Sequence, residues 1–157
     1  MFPRIPRREL LQLAVLPATA AAQPWKPAVL SERQDRAVDA LAELIIPRTE
    51  TPGARDAQVH RYIDRMLAEG MLEAERAAFL SGLTVFDDVP ADRYESMLIE
   101  LSRGDRGEDG RRFFRQLKDL VIRGYYTSRE GLMQELEYKG NGAFEQYPGC
   151  THPEHKG

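Results

Sequence analysis

Near its C-terminus the chain gathers a thiol, two imidazoles and a carboxylate in one short run: Gly149-Cys150-Thr151-His152-Pro153-Glu154-His155. Thiolate and imidazole suit a borderline-soft ion such as Zn²⁺, so Cys150, His152 and His155 are candidate metal ligands. Two features count against that reading. Pro153 stiffens the middle of the run, and the paired C-x₂-C spacing of structural zinc sites is missing. Cys150 is also the only cysteine of the chain. An internal disulfide framework and an all-cysteine metal site are therefore excluded.

Other catalytic constellations are scarce. Gly140-Asn141-Gly142 opens a G-x-G-x-x-G spacing, but Glu145 stands at the third glycine and no strand pattern precedes it. The sequence has no G-x-S-x-G elbow of a serine hydrolase and no His-Glu-x-x-His helix of a zinc protease. The carboxylate pairs Glu73 with Glu75 and Asp87 with Asp88 fall on polar faces or in loops and read as solvated surface. His60, between Val59 and Arg61, reads as a surface or half-buried histidine. The aromatic pairs Phe113-Phe114 and Tyr125-Tyr126 suit a bundle core, a partner groove, or both.

The N-terminus carries a different kind of signal. Arg4, Arg7 and Arg8 precede the short apolar stretch Leu10–Leu16, and Ala18-Thr19-Ala20 and Ala20-Ala21-Ala22 both fit small-x-small cleavage. The stretch is too short to span a bilayer, so residues 1–22 read as a cleaved signal. Arg7-Arg8 followed by Glu9-Leu10-Leu11-Gln12 resembles the twin-arginine export signal, which places the mature chain in the periplasm. Pro6 and Gln12 depart from its usual choices. An odd cysteine in an exported chain often pairs with another chain, so Cys150 has an interchain disulfide as a second reading, and an inert thiol in a docked tail as a third.

The whole chain of 157 residues is 42 % apolar and 30 % charged, with a formal net charge of −3. That is one globular domain without a basic stripe for nucleic acid. Loss of residues 1–22 removes three basic residues and one acidic residue, and takes the net charge to −5.

The elements that must position these groups follow from periodicity. Residues 23–30 read as an extended linker carrying Pro24 and Pro27. Ser31 to Gln34 has the form of a capping box, and Ala37, Leu41, Leu44 and Ile45 then recur at helical spacing. Pro47 stops that helix, and Thr51-Pro52-Gly53 makes a turn. A second helix is expected from Ala54 through Val59, Tyr62, Ile63, Met66 and Leu67 to Gly70. A third runs from Leu72 to Leu83 through Ala77, Phe79 and Leu80, and a fourth from Ala91 to Ser102. Residues 103–112, with three glycines, read as a solvated loop. The fifth and most apolar helix carries Phe113, Phe114, Leu117, Leu120, Val121, Tyr125 and Tyr126. Leu132 to Tyr138 suits a short helix, and an irregular tail begins at about residue 139. The fold class is all-α: a small bundle of about five helices over residues 31–157.

Several of these segments together resemble one family. Ile45-Ile46-Pro47, Thr51-Pro52-Gly53-Ala54, Val59, Tyr62-Ile63-Asp64 and Leu67 are similar to the gluconate 2-dehydrogenase subunit 3 family. So are Phe113-Phe114 with Leu117, Gly124-Tyr125-Tyr126-Thr127-Ser128, Tyr138-Lys139-Gly140-Asn141 and Tyr147-Pro148-Gly149. The resemblance covers roughly Ser31 to Gly149; Gly140-Asn141 lacks a preceding second glycine, and the sequence after it departs from the better-known members. It implies a non-catalytic small subunit without a cofactor of its own. The implied partner is a large FAD-dependent dehydrogenase of the glucose-methanol-choline type, acting on a sugar, sugar acid or polyol; a cytochrome c subunit often takes the electrons. Twin-arginine export carries folded proteins, so a small subunit bearing the signal would take a FAD-loaded partner across. The candidate partner contacts are Phe114, Tyr126, Tyr147, Cys150 and His152. The competing reading is a stand-alone periplasmic module that binds metal through the Cys/His tail.

Overall fold

A computed structural model describes residues 25–140. Five α-helices account for most of them: α1 Glu32–Ile45, α2 Val59–Arg65, α3 Glu73–Leu83, α4 Tyr94–Arg103 and α5 Gly107–Tyr126. No strand occurs among the described residues, so the architecture is the all-α bundle expected from the periodicity.

The start of α1 is the capping box read from the sequence. Ser31 Oγ accepts from the Gln34 N–H at 3.3 Å, and Gln34 Oε1 accepts from the Ser31 N–H at 3.0 Å. The face it buries is Ala37, Val38, Leu41 and Ala42. Leu44, expected on that face, is 42 % exposed instead, and Ala77 of α3 is exposed as well. Leu44 lies at the edge of the stripe centred on Val38 and Leu41.

Four boundaries differ from expectation. The fourth helix is α-helical from Tyr94 rather than Ala91, after a 3₁₀ turn at Ala91–Arg93. The second helix begins at Val59 rather than Ala54, because residues 54–58 form turns and Gln58 sits in the left-handed region at φ 53°. It continues into a π-turn, Met66–Gly70, which ends at the expected glycine. The expected loop over residues 103–112 is helical from Gly107. Gly104, at φ 83°, closes α4 in the left-handed conformation that glycine adopts without a Cβ penalty. After Gly107, Glu108 and Asp109 place negative charge at the start of α5. Gly110 is tolerated inside the helix because α4 passes close by: a Cβ there would lie 2.8 Å from Leu101 Cδ2. Past α5, a π-turn at Gly131–Glu135 replaces the short helix expected over Leu132–Tyr138.

The long amphipathic α5 is the spine of the bundle, and α1, α2, α3 and α4 all pack against it. Its Phe113 meets Phe79 of α3 at 5.3 Å and Phe86 at 6.2 Å between ring centroids, and Tyr94 of α4 stands edge-on to Phe86 at 5.2 Å. At the other end, Tyr125 is buried and its hydroxyl donates to the Pro52 carbonyl at 2.6 Å. Burial pushes that phenol above its ordinary pKa. No helix among the described residues is long and apolar enough to cross a membrane.

Candidate functional site

The turn chemistry at Thr51-Pro52-Gly53 is fixed by acidic side chains. Glu43, near the end of α1, accepts from the backbone N–H groups of Arg48 at 3.0 Å and Arg55 at 2.9 Å. Asp56 accepts from the Gly53 N–H at 3.0 Å and from Arg48 through both oxygens, at 2.8 and 2.7 Å. The Gly53 N–H and then the Arg48 guanidinium hold the Asp56 carboxyl below its ordinary pKa. Thr51 Oγ1 donates to Glu135 Oε2 at 2.7 Å, which ties the π-turn after α5 to the same loop. This ordered loop delivers the chain into α2.

On α2 the most constrained polar group is Asp64. Its side chain lies on the buried flank beside Ile63, and the residue is 3 % exposed. Oδ2 accepts from the Ala28 N–H at 2.7 Å; Oδ1 accepts from Val29 at 3.0 Å and Leu30 at 2.9 Å. A carboxylate that collects three backbone donors offsets its desolvation and satisfies an irregular segment that has no helical partners. Asp64 therefore straps the extended segment ahead of α1 to the bundle. An aspartate among Val59, Ile63 and Leu67 was a legible anomaly in the sequence: a charged residue flanking an otherwise apolar stripe demands partners.

Beside the strap lies a second polar cluster. His60 is half-buried, its ring edge-on to Trp25 at 5.3 Å between centroids. Its Nδ1 is 3.2 Å from Asp39 Oδ1, within ion-pair distance but without hydrogen-bond alignment. Asp39 also accepts from Arg55 at 2.8 Å, and this contact pushes the Arg55 guanidinium above its ordinary pKa. Asp35 Oδ1, Asp39 Oδ1 and His60 Nδ1 are buried with no hydrogen-bond partner among the described residues. Burial pushes the Asp35 carboxyl up; His60 opposes that shift, while Asp39 and Asp64 add to it.

Trp25, Lys26, Arg61, Tyr62 and Arg65 line an open cleft of about 420 Å³ between the strap and α2. The Arg61 guanidinium lies 5.1 Å from the Trp25 ring centroid, and that of Arg65 lies 5.9 Å from the Tyr62 ring. Sequence reading singled out none of these cations: the Arg61 contact depends on the path of the chain ahead of α1, while the Arg65–Tyr62 contact lies within α2 at a spacing that the sequence showed.

Of the expected partner contacts, Phe114 and Tyr126 lie among the described residues, and they stand apart along α5. Phe114 is half-buried and lines a shallow apolar groove of about 300 Å³ with Leu44, Ile45, Leu98 and Ile99. Tyr126 is 37 % exposed and stands edge-on to Tyr125. Twelve residues of α5 separate the two, or ~18 Å along the axis. Arg7, Arg8, Tyr147, Cys150, His152 and His155 lie outside the described residues. Among the described residues, no group of three His, Cys, Asp or Glu side chains is arranged to hold a metal ion. Glu73, Glu75 and Asp88 are exposed, as their solvated reading expects, and Asp87 is partly covered.

The profile of the gluconate 2-dehydrogenase subunit 3 family matches residues 32–143, from the first residue of α1 to just beyond the last described residue. The chain belongs to that family, whose name points to a subunit of a gluconate 2-dehydrogenase complex. No curated protein and no solved structure matches it.

Proposed function

We infer that this chain is a non-catalytic small subunit of a periplasmic, FAD-dependent dehydrogenase complex. The observation that carries this reading is the family match over the helical domain, from the capping box of α1 past the π-turn after α5. The large subunit is a flavoprotein of the glucose-methanol-choline type that oxidises a sugar, sugar acid or polyol, with FAD held in that partner and a cytochrome c subunit as electron acceptor. The small subunit assists assembly of the flavoprotein and supplies its twin-arginine signal. The Asp64 strap supports this reading, since it anchors the residues that follow the signal to a folded domain.

Affinity purification of the tagged native protein, followed by a visible spectrum, is the test. The expected outcome is a flavin band in the co-purified material and none in the isolated chain. A yellow preparation of the small chain alone, or a colourless complex, overturns the reading.

A further inference from the structure

The cleft beside the strap has a design that the subunit reading leaves unused. Arg61 and Arg65 stand one helical turn apart on α2, so their side chains emerge about 5–6 Å apart. Each guanidinium is positioned by an aromatic ring, Trp25 or Tyr62. Stacking on a ring fixes a guanidinium while using none of its N–H donors, and the planar fork is matched to a carboxylate. Neither arginine, nor Lys26 on the same cleft, makes an ion pair among the described residues. By contrast, Arg48, Arg55 and Arg106 are each committed to a carboxylate. Two acidic groups also line the cleft. Asp64 has both oxygens engaged by backbone N–H groups, and Glu69 is exposed in the π-turn. The site is thus a cationic spot on a chain of net charge −3.

We propose that this cleft docks an acidic peptide segment of the partner subunit, Arg61 and Arg65 each gripping one carboxylate of a pair. The identity of the occupant rests on the subunit reading above. Acidic side chains two apart on an extended segment lie ~7 Å from each other, and four apart on a helix about 5–6 Å, so either segment fits the two forks. Charge of opposite sign on an otherwise acidic molecule also orients the encounter and makes it sensitive to salt.

Trp25 is the only tryptophan of the chain, so its fluorescence reports on the cleft directly. Poly-L-glutamate added to the purified full chain is expected to shift Trp25 emission at about 0.1 M salt. The response should disappear at about 1 M, where the screening length falls from ~10 to ~3 Å. Arg61→Gln/Arg65→Gln should weaken the response about tenfold or more. Arg61→Lys/Arg65→Lys, which keeps the charge but removes the forks, should recover only part of it. Arg93→Gln/Arg123→Gln, at exposed arginines elsewhere, should leave it unchanged. No response in the wild type overturns the inference, as does full recovery with lysine. Inorganic phosphate acting as strongly as poly-L-glutamate identifies a small-anion site and overturns it too. In the tagged complex, loss of flavin co-purification with the double glutamine variant alone supports the docking. Equal retention overturns the docking and leaves the subunit reading standing. Absence of flavin with the wild type sinks the subunit reading and the named occupant, while the titration still reports whether the cleft takes carboxylates.

Discussion

Asp64 and Asp35 lie close to one another, yet their environments give opposite expectations. Asp64 has three backbone N–H groups aimed at it, and hydrogen bonds to a charged acceptor contribute more than neutral ones. Asp64→Ala is expected to cost about 2–4 kcal/mol, since it strands the buried Leu30 N–H and two part-buried donors as well as losing the bonds. Urea unfolding followed by circular dichroism measures this; a change under about 0.5 kcal/mol, the scale of an ordinary surface substitution, would show that the strap adds nothing. Asp35 has a pKa raised chiefly by burial, so its native state holds a proton more tightly than the unfolded chain does. Stability from this group is therefore greatest below the unfolded value of 3.8 and declines as pH rises through the raised folded value. Asp35→Asn removes that dependence. Its stability relative to wild type is expected to improve between pH 3.5 and pH 7, and parallel curves of midpoint against pH would contradict this.

At the scale of elements, α5 shows where sequence reading succeeds and where it stops. Phe113, Leu117, Leu120, Val121 and Tyr125 were legible as its buried stripe because apolar spacing reports burial directly. Its first turn was hidden, since three glycines between residues 103 and 112 carry the local signature of a loop. Only contact with α4 makes helix the better state for Gly110. Gly124 carries the same lesson in the last turn of the helix. A Cβ there would stand 2.7 Å from Tyr62 Cδ1 and 3.1 Å from Val59 Cγ1, so the glycine lets α2 approach α5. Alanine gains about 1 kcal/mol of helix propensity but overpacks this crossing by about 1–3 kcal/mol. Gly124→Ala is expected to be neutral to destabilising and, by moving Tyr62, to disturb the ring under Arg65. A thermal melt read together with the Trp25 titration separates the two effects; a clearly stabilised variant with normal titration would refute the close packing.

For the whole molecule, the family and the five-helix bundle were readable from the sequence, but the cleft was not. Its parts come from an extended segment without periodicity and from one turn of α2, and only the strap brings them together. The proposed export route makes its own prediction. Replacing Arg7 and Arg8 together with lysine should leave this chain and its large partner in the cytoplasm, as read by fractionation and immunoblotting. Unchanged export would point to the general secretory route.

The strap also has a consequence for the order of events during synthesis. Ala28, Val29 and Leu30 leave the ribosome 34–36 residues before the carboxylate that receives them. Helix α2, which carries this carboxylate, packs against α5, the last α-helix among the described residues. The residues just ahead of α1 are thus among the last to be secured. Their amides should gain protection from exchange only once translation has passed α5, so that the segment ahead of α1 locks in place only when all five helices can pack.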